Sequence, residues 1–425
     1  MNICMVEACR EEDAGSIGAW YIVHHAGLAG YPVKIVRQSN KSYDVELISV
    51  HHCSDFERLA KMPKRAKIRI VGGHPMQNNP RPVIPFADAI CVGEGESWIK
   101  QALPLLGKHG VDGLADLPGT IICKNWKYGD PVPAPNIENP LPDNPPYLNR
   151  PGTLSAAWYV EIARGCPYSC AFCELGNSMP YRIYTVDQIK KVLDQADIKK
   201  TRKINFYAPD EAAHPGYHEM FDYLMERGYM ASFSSMRIDS ILKRGLPALK
   251  RNVLLRVGID GLTEETRRRV KKLITDDMIV EYFQQFIKRG HIQFKMFFII
   301  GYPWEKVSDF DQFSELMRRI FEIPLKKNVS LRIKWTPFIP QPCTPLGREK
   351  AKYDFELIEK INIWHAINAR PNHEPGWYVE NDGLMSCRSH KRQCELTSGD
   401  ETTLLRLLQG RNIKPLYSLK GDRCV

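Results

Sequence analysis

Cys166, Cys170 and Cys173 fall inside residues 164–173, Arg-Gly-Cys-Pro-Tyr-Ser-Cys-Ala-Phe-Cys. The C-x3-C-x2-C spacing places three thiolates on one short loop. Three thiolates that close can hold three irons of a [4Fe–4S] cluster, which leaves the fourth iron open to a small chelating group. Two plainer uses compete, structural thiols and a zinc knuckle. Zinc takes four ligands, usually as two separated pairs, and no fourth Cys or His lies near this loop. A second set of ligand types stands far downstream at Cys387, His390, Cys394 and Cys424. Thiolate and imidazole would suit a second zinc or iron site, against the plainer reading of reduced thiols in a basic tail.

A loop of this kind needs a strand to deliver it, and residues 158–163 read as one, apolar and buried. Strand and helix then alternate: helix 186–196, strand 203–207, helix 218–227, strand 230–234, strand 253–258, helices 263–271 and 278–289, strand 293–300 and strand 331–335. Six βα units over residues 153–347 predict an open, partial (β/α)6 barrel of TIM type. Active sites in such barrels lie at the carboxyl ends of the strands. Asp210, Glu211, Ser234, Arg237, Asp260, Gly301 and Pro337 all fall there.

The preceding residues 1–127 alternate in the same way: strand 2–6, helix 17–28, strands 33–36 and 43–49, helix 54–62, strands 67–71 and 87–92, and a helix from 97. This pattern predicts an α/β, Rossmann-like, doubly wound sheet with its ligand edge at the Gly-rich turns 72–75 and 93–96. Residues 128–151 hold eight prolines, so 128–152 reads as an extended linker without helix or inner strand. Residues 348–425 form a C-terminal extension, mostly helical or irregular, in which 355–369 reads as a helix and no further βα unit is expected.

The sequence has 425 residues, a net charge of +10 and twelve cysteines. Hydrophobic content of 43% is enough for two or three cored domains. There is no apolar run of about 18 residues and no signal peptide, which predicts a soluble, cytoplasmic protein without a membrane partner. So many cysteines in a chain this long suggest ligands and buried thiols rather than a disulfide scaffold. The positive charge favours an anionic partner such as nucleic acid or a nucleotide, against a merely solvated basic surface. Arg388, Lys391, Arg392, Arg411, Lys414, Lys420 and Arg423 would suit phosphate contacts in the tail.

The cysteine loop, its strand and Phe172 just before the third Cys together resemble the signature of the radical S-adenosylmethionine (SAM) superfamily. The resemblance covers roughly residues 60–347. It implies that the open iron chelates the amino and carboxylate groups of SAM. An electron from the cluster then cleaves SAM to methionine and a 5′-deoxyadenosyl radical. An external donor of flavodoxin or ferredoxin type is implied. Asp210 and Glu211 match the family's acidic position facing the SAM amine, Asp260 the acidic position near the ribose, and Ser234 and Arg237 could reach the SAM carboxylate or the substrate. Residues 301–305, Gly-Tyr-Pro-Trp-Glu, resemble the fifth-strand Gly-x-Pro-Gly-Glu turn with Trp304 in place of the second Gly. Gly301 would let adenine approach, and residues 336–340, with Pro337, would line it.

The first domain resembles the cobalamin-binding-type domain of one large radical SAM subfamily. Established cobalamin domains carry Asp-x-His-x-x-Gly, whose His ligates cobalt; the first βα turn here, residues 8–18, has no such motif, and many relatives bind cobalamin without it. Cobalamin is therefore one implied cofactor, beside a domain that only closes the site. The expected function is radical modification of an unactivated carbon, with a nucleotide or nucleic-acid base as a candidate substrate. One alternative is cobalamin-dependent C-methylation of a small molecule or peptide. The other is a non-catalytic iron–sulfur protein that binds nucleic acid.

Overall fold

In the computed structural model, residues 1–9, 15–144, 157–195, 203–247, 253–369, 375–409, 413 and 415–417 are described. They belong to two units, one of residues 1–153 with 392–425 and one of residues 154–391.

The first unit is built on β1 (Ile3–Glu7), β2 (Val33–Ile35), β3 (Val45–Ser49), β4 (Ile68–Gly72), β5 (Ala89–Cys91) and β6 (Thr120–Ile122). Their order is β2-β1-β3-β4-β5-β6. All pairs are parallel except β5 with β6. Side chains alternate between the two faces. Ile3, Met5, Val45, Leu47 and Ile70 pack on one side with Trp98, Ile99 and Leu103 of the helix Glu96–His109. Cys4, Val6, Ile48, Val71 and Ile90 pack on the other. The helix Ile17–Leu28 starts where Ser16 Oγ accepts Ala19 N–H at 3.2 Å. It stops at Gly30, whose φ of +83° suits glycine.

The second face is completed by the C-terminal residues. Leu396, Leu404 and Leu408 join that core. Buried Glu401 accepts from Arg81 Nη1 at 2.7 Å and Trp126 Nε1 at 2.9 Å. The extension expected over 348–425 is thus divided: 392–425 belongs to the first unit and 348–391 to the second. The reason is apolar, since the three leucines cover sheet surface that would otherwise meet water. Among described residues 128–144 the chain carries no helix or strand, and Asn136 bridges to Gly93. Residues 145–152 of the expected linker lie outside the described set.

A charge pair is buried in this sheet. Glu46 and Arg69 are register neighbours on β3 and β4. Arg69 Nε donates to Glu46 Oε1 at 2.6 Å, and their side chains are 2% and 1% exposed. Arg69→Met would leave the carboxylate buried without its cation. A loss of about 3–5 kcal/mol is expected in chemical melts, restored in the double variant with Glu46→Leu. A smaller loss in the single variant would mean that Ser39, which also donates to Glu46, suffices.

The second unit contains β7 (Ala157–Glu161), β8 (Ala163–Arg164), β9 (Arg182–Ile183), β10 (Lys203–Tyr207), β11 (Met230–Ser232), β12 (Ser235–Met236), β13 (Leu255–Gly258), β14 (Gln293–Ile300), β15 (Val329–Pro337) and β16 (Trp377–Asn381). The barrel strands form parallel sheets β11-β10-β7 and β12-β13-β14-β15-β16, the wall breaking between β11 and β12. On β14, Phe294, Met296, Phe298 and Ile300 are buried while the residues between them are open. Phe294 meets Phe283 and Phe298 meets Phe313, both on outer helices, so the open set lines the barrel interior. β16 pairs parallel with β15 after the helix Phe355–Asn368. It corrects the expectation that the tail adds no βα unit: Trp377 and Val379 are buried and extend the wall to a seventh position.

Candidate active site

The cysteine loop leaves β7 and is pinned at both ends by the antiparallel pair β8–β9. Gly165 has φ +73°, and a Cβ there would lie 2.2 Å from Pro180 O. A Cβ on Gly176 would lie 1.7 Å from Tyr168 O. Both glycines let the loop fold back on itself. Asn177 Nδ2 donates to Cys170 O at 2.9 Å and Cys173 O at 2.7 Å. Ala171 N–H donates to Val270 O at 2.9 Å and Ala171 O accepts from Leu346 N–H at 3.2 Å, which ties the loop to two later segments of the barrel.

All three thiols are free, Cys170 buried and the others half-buried. Burial, with Cys166 and Cys170 adding to it, pushes the Cys173 thiol up to about 11. Cys166 is raised likewise by burial, with Cys170 adding to it. Thiols raised in this way, as Cys166 and Cys173 are, form thiolates readily only around positive charge. Iron supplies that charge, so the donor set fits a cluster.

Around the loop runs a chain of polar side chains. Arg237 Nη1 stands 3.4 Å from Cys170 Sγ. Its other nitrogens grip Asp239 at 3.0 and 2.7 Å, and its Cζ lies 4.0 Å from the centre of the Tyr168 ring. Tyr168 Oη meets Ser240 Oγ at 2.5 Å, and Ser240 donates to Asp210 Oδ2 at 2.6 Å. Asp210 is buried, its other oxygen has no partner, and burial raises its pKa. An orphaned buried carboxylate oxygen beside the thiols is the feature a bound ammonium would satisfy. Phe172 packs with Ala171, Tyr302 and Phe338, an apolar cluster against the loop.

Residues 160–317 match the radical SAM superfamily. That stretch, which begins just before the cysteine loop and runs to the helix after β14, is a radical SAM domain. An uncharacterised protein of Methanocaldococcus jannaschii is 25% identical over 401 residues, 90% of this chain and 84% of that protein. Among solved structures, the cobalamin-dependent SAM radical enzyme OxsB superposes with a TM-score of 0.57 at 16% identity, over 74% of this chain and 51% of OxsB. The radical SAM methyltransferase TsrM from Kitasatospora setae superposes with a TM-score of 0.55 at 11% identity, over 87% of this chain and 77% of TsrM. At these identities the likeness is one of fold: a Rossmann-like domain and a TIM-type barrel.

Several residues expected around SAM in this radical SAM domain are engaged by the protein's own groups. Ser234 holds Glu211, donating from N and Oγ to Glu211 Oε1 at 2.8 and 2.7 Å. Asp260 adopts φ +61° and its carboxylate is bound by buried Lys272. Gly301 does not open a path for adenine: a Cβ there would lie 2.2 Å from Lys352 O, so the returning chain fills that space. Pro337 ends β15, where Phe338 N–H donates to Ile300 O at 2.7 Å. Tyr168, Asn177, Asp239 and Ser240 were not anticipated. Tyr168 stands inside the cysteine motif, and Asp239 follows Arg237 at the spacing of a bidentate pair.

The second metal site is not formed by the described residues. Cys387, His390 and Cys394 share the helix Cys387–Ser398, but no three of these groups converge on one ion. His390 Nε2 donates to Phe338 O at 2.7 Å, and burial pushes the Cys394 thiol up to about 11. Cys424, with Arg411, Lys414, Lys420 and Arg423, lies outside the described residues. Arg392 is committed to Glu57, while Arg388 and Lys391 are exposed.

Glu211 is fully buried, and that burial raises its pKa to about 8. The unfolded chain releases this proton near the ordinary carboxylate value, the folded one only near 8. Stability therefore falls as pH rises between those values, by on the order of a few kcal/mol. Glu211→Gln keeps the oxygen that accepts from Ser234 and should flatten the decline. Chemical melts at about pH 5.5 and 8.5 check it, and an unchanged slope would assign the decline elsewhere.

Proposed function

We propose that this radical SAM enzyme cleaves SAM at a [4Fe–4S] cluster on Cys166, Cys170 and Cys173, and modifies an unactivated carbon of an anionic substrate held on the barrel's inner face. The observation that carries the SAM reading is the orphaned Asp210 oxygen, joined through Ser240, Tyr168 and Arg237 to the Cys170 thiol. When bound, the cluster supplies the electron and SAM the carbon radical. Asp210 would hold the SAM amine. Arg237, fixed by Asp239, places a cation against the Cys170 sulfur. Phe172, Tyr302 and Phe338 keep water from the loop.

The substrate reading rests on the inner face. Arg256, Lys295 and Arg332 are register neighbours there, with Lys334 two residues on. Lys295 pairs with Asp382 and Arg332 with Glu380, two anions against four cations. Like charges side by side are unfavourable without a counter-charge, and an anionic substrate provides it. A nucleotide or nucleic acid is the class preferred here. Anisotropy titrations with labelled oligonucleotides at two salt concentrations test it. Affinity should fall by about 0.9 log units per phosphate contact per log unit of salt on duplex DNA. Arg332→Ala with Lys334→Ala should flatten that slope. Absence of binding at low salt to single-stranded DNA, duplex DNA and RNA would overturn the nucleic-acid class.

A second reading is cobalamin-dependent methyl transfer to carbon, favoured by the β2-β1-β3-β4-β5 order within a fold shared with OxsB and TsrM. The Gly-rich turns do not themselves argue for it. A Cβ on Gly73 would meet Val50 O at 2.1 Å and one on Gly93 would meet Asn136 O at 2.3 Å, so the chain's own backbone accounts for both. Retention of about one equivalent of corrinoid through gel filtration would support this reading. Turnover without any retained corrinoid would remove it.

A further inference from the structure

Glu7, Cys9 and His51 lie outside the SAM site and take no part in the reading above. Glu7 ends β1 and His51 follows β3, which pairs with β1. Strand order reverses between these two strands, with β2 on one side and β4 on the other. The carboxyl edge at such a reversal is where doubly wound sheets bind ligands. One ligand atom from each of the three residues lies within 4.8 Å of the other two, and no other group among the described residues does this.

The local geometry can hold a metal as well as an ion pair. His51 Nε2 stands 2.9 Å from Glu7 Oε2, yet that nitrogen is buried and has no aligned hydrogen bond. The Glu7 carboxylate is already oriented by Gly15 N–H at 2.7 Å and Ser16 N–H at 2.9 Å, leaving lone pairs that face the ring. The backbone at His51 is fixed by its N–H and that of His52, which donate to Asp55 Oδ2 at 3.3 and 3.0 Å. Arg58 Nη1 holds Cys9 O at 3.2 Å. Carboxylate, thiolate and neutral imidazole carry two negative charges between them, which balance a divalent cation. Mixed oxygen, sulfur and nitrogen donors suit zinc above harder cations.

We propose that Glu7, Cys9 and His51 bind a zinc ion and are its ligands among the described residues.

The test uses the full-length, iron-loaded enzyme. Metal analysis after dialysis should show about one Zn2+ per chain in addition to iron. Zinc X-ray absorption should show a single sulfur neighbour at about 2.3 Å, with nitrogen and oxygen at about 2.0–2.2 Å. Three sulfurs would put the zinc on the cluster loop and overturn the proposal. Cys9→Ser and His51→Gln should each lower zinc affinity by about a hundredfold or more in chelator competition. Added zinc should raise the melting temperature of the wild type and not of the variants. Unchanged zinc content in both variants, or no zinc retained by the wild type, would leave the trio as an ion pair beside a thiol.

Discussion

Replacing Cys166, Cys170 and Cys173 together by Ala removes iron binding and deoxyadenosine formation from SAM. Each thiolate would be one of three protein ligands, and no other Cys is placed in the loop to substitute. The loss should be complete, whereas single Cys→Ser variants keep two ligands and a fraction of the iron. The fold should survive, because the loop is tied to the barrel by backbone hydrogen bonds at Ala171 and by the β8–β9 pair. Iron analysis and product chromatography after anaerobic reconstitution read the result. Deoxyadenosine from the triple variant would mean that SAM is cleaved elsewhere.

Gly176→Ala should be nearly as severe without touching a ligand. The added methyl would sit 1.7 Å from Tyr168 O, a backbone atom that cannot swing away like a side chain tip. Relief requires the 168–176 loop to open. That displaces Tyr168 from Ser240 and Arg237 and alters the spacing of the thiols. Overpacking of this kind costs about 1–3 kcal/mol where the surroundings can yield. Here the yielding part is the cluster loop, so iron retention should drop at least about tenfold while the melting temperature of the rest changes little. Gly107→Ala, where a Cβ meets nothing within 4 Å, is the control. Full iron in Gly176→Ala would show that the loop tolerates rearrangement.

Where chemistry and periodicity coincide, the residues themselves announced the structure. The strands Lys203–Tyr207 and Gln293–Ile300 and the helix Ile17–Leu28 appear with the bounds their patterns predict. The cysteine loop stands out in the sequence because its C-x3-C-x2-C spacing is one that a cluster, and not the fold, would dictate. Other features depend on partners distant in sequence. Trp377–Asn381 is a short strand whose identity comes from pairing with β15. Leu396, Leu404 and Leu408 belong to a core whose other members precede residue 127. Gly301 has the glycine a ligand approach would need, but Lys352 arrives there from 51 residues later. The Glu7, Cys9 and His51 grouping joins two strand ends that only the sheet order brings together.

The most direct test of the central claim is the response of the reduced cluster to SAM. After anaerobic reconstitution the wild type should hold about four irons and four sulfides per chain in one cluster. Adding SAM should change the electron paramagnetic resonance spectrum of the reduced cluster, because the unligated iron gains a chelate. Deoxyadenosine and methionine should then accumulate together with a chemical reductant. Asp210→Asn should weaken the SAM-dependent spectral change and leave the iron content intact. A cluster whose spectrum ignores SAM, with no deoxyadenosine formed, or a loop that retains zinc and no iron, would contradict the account.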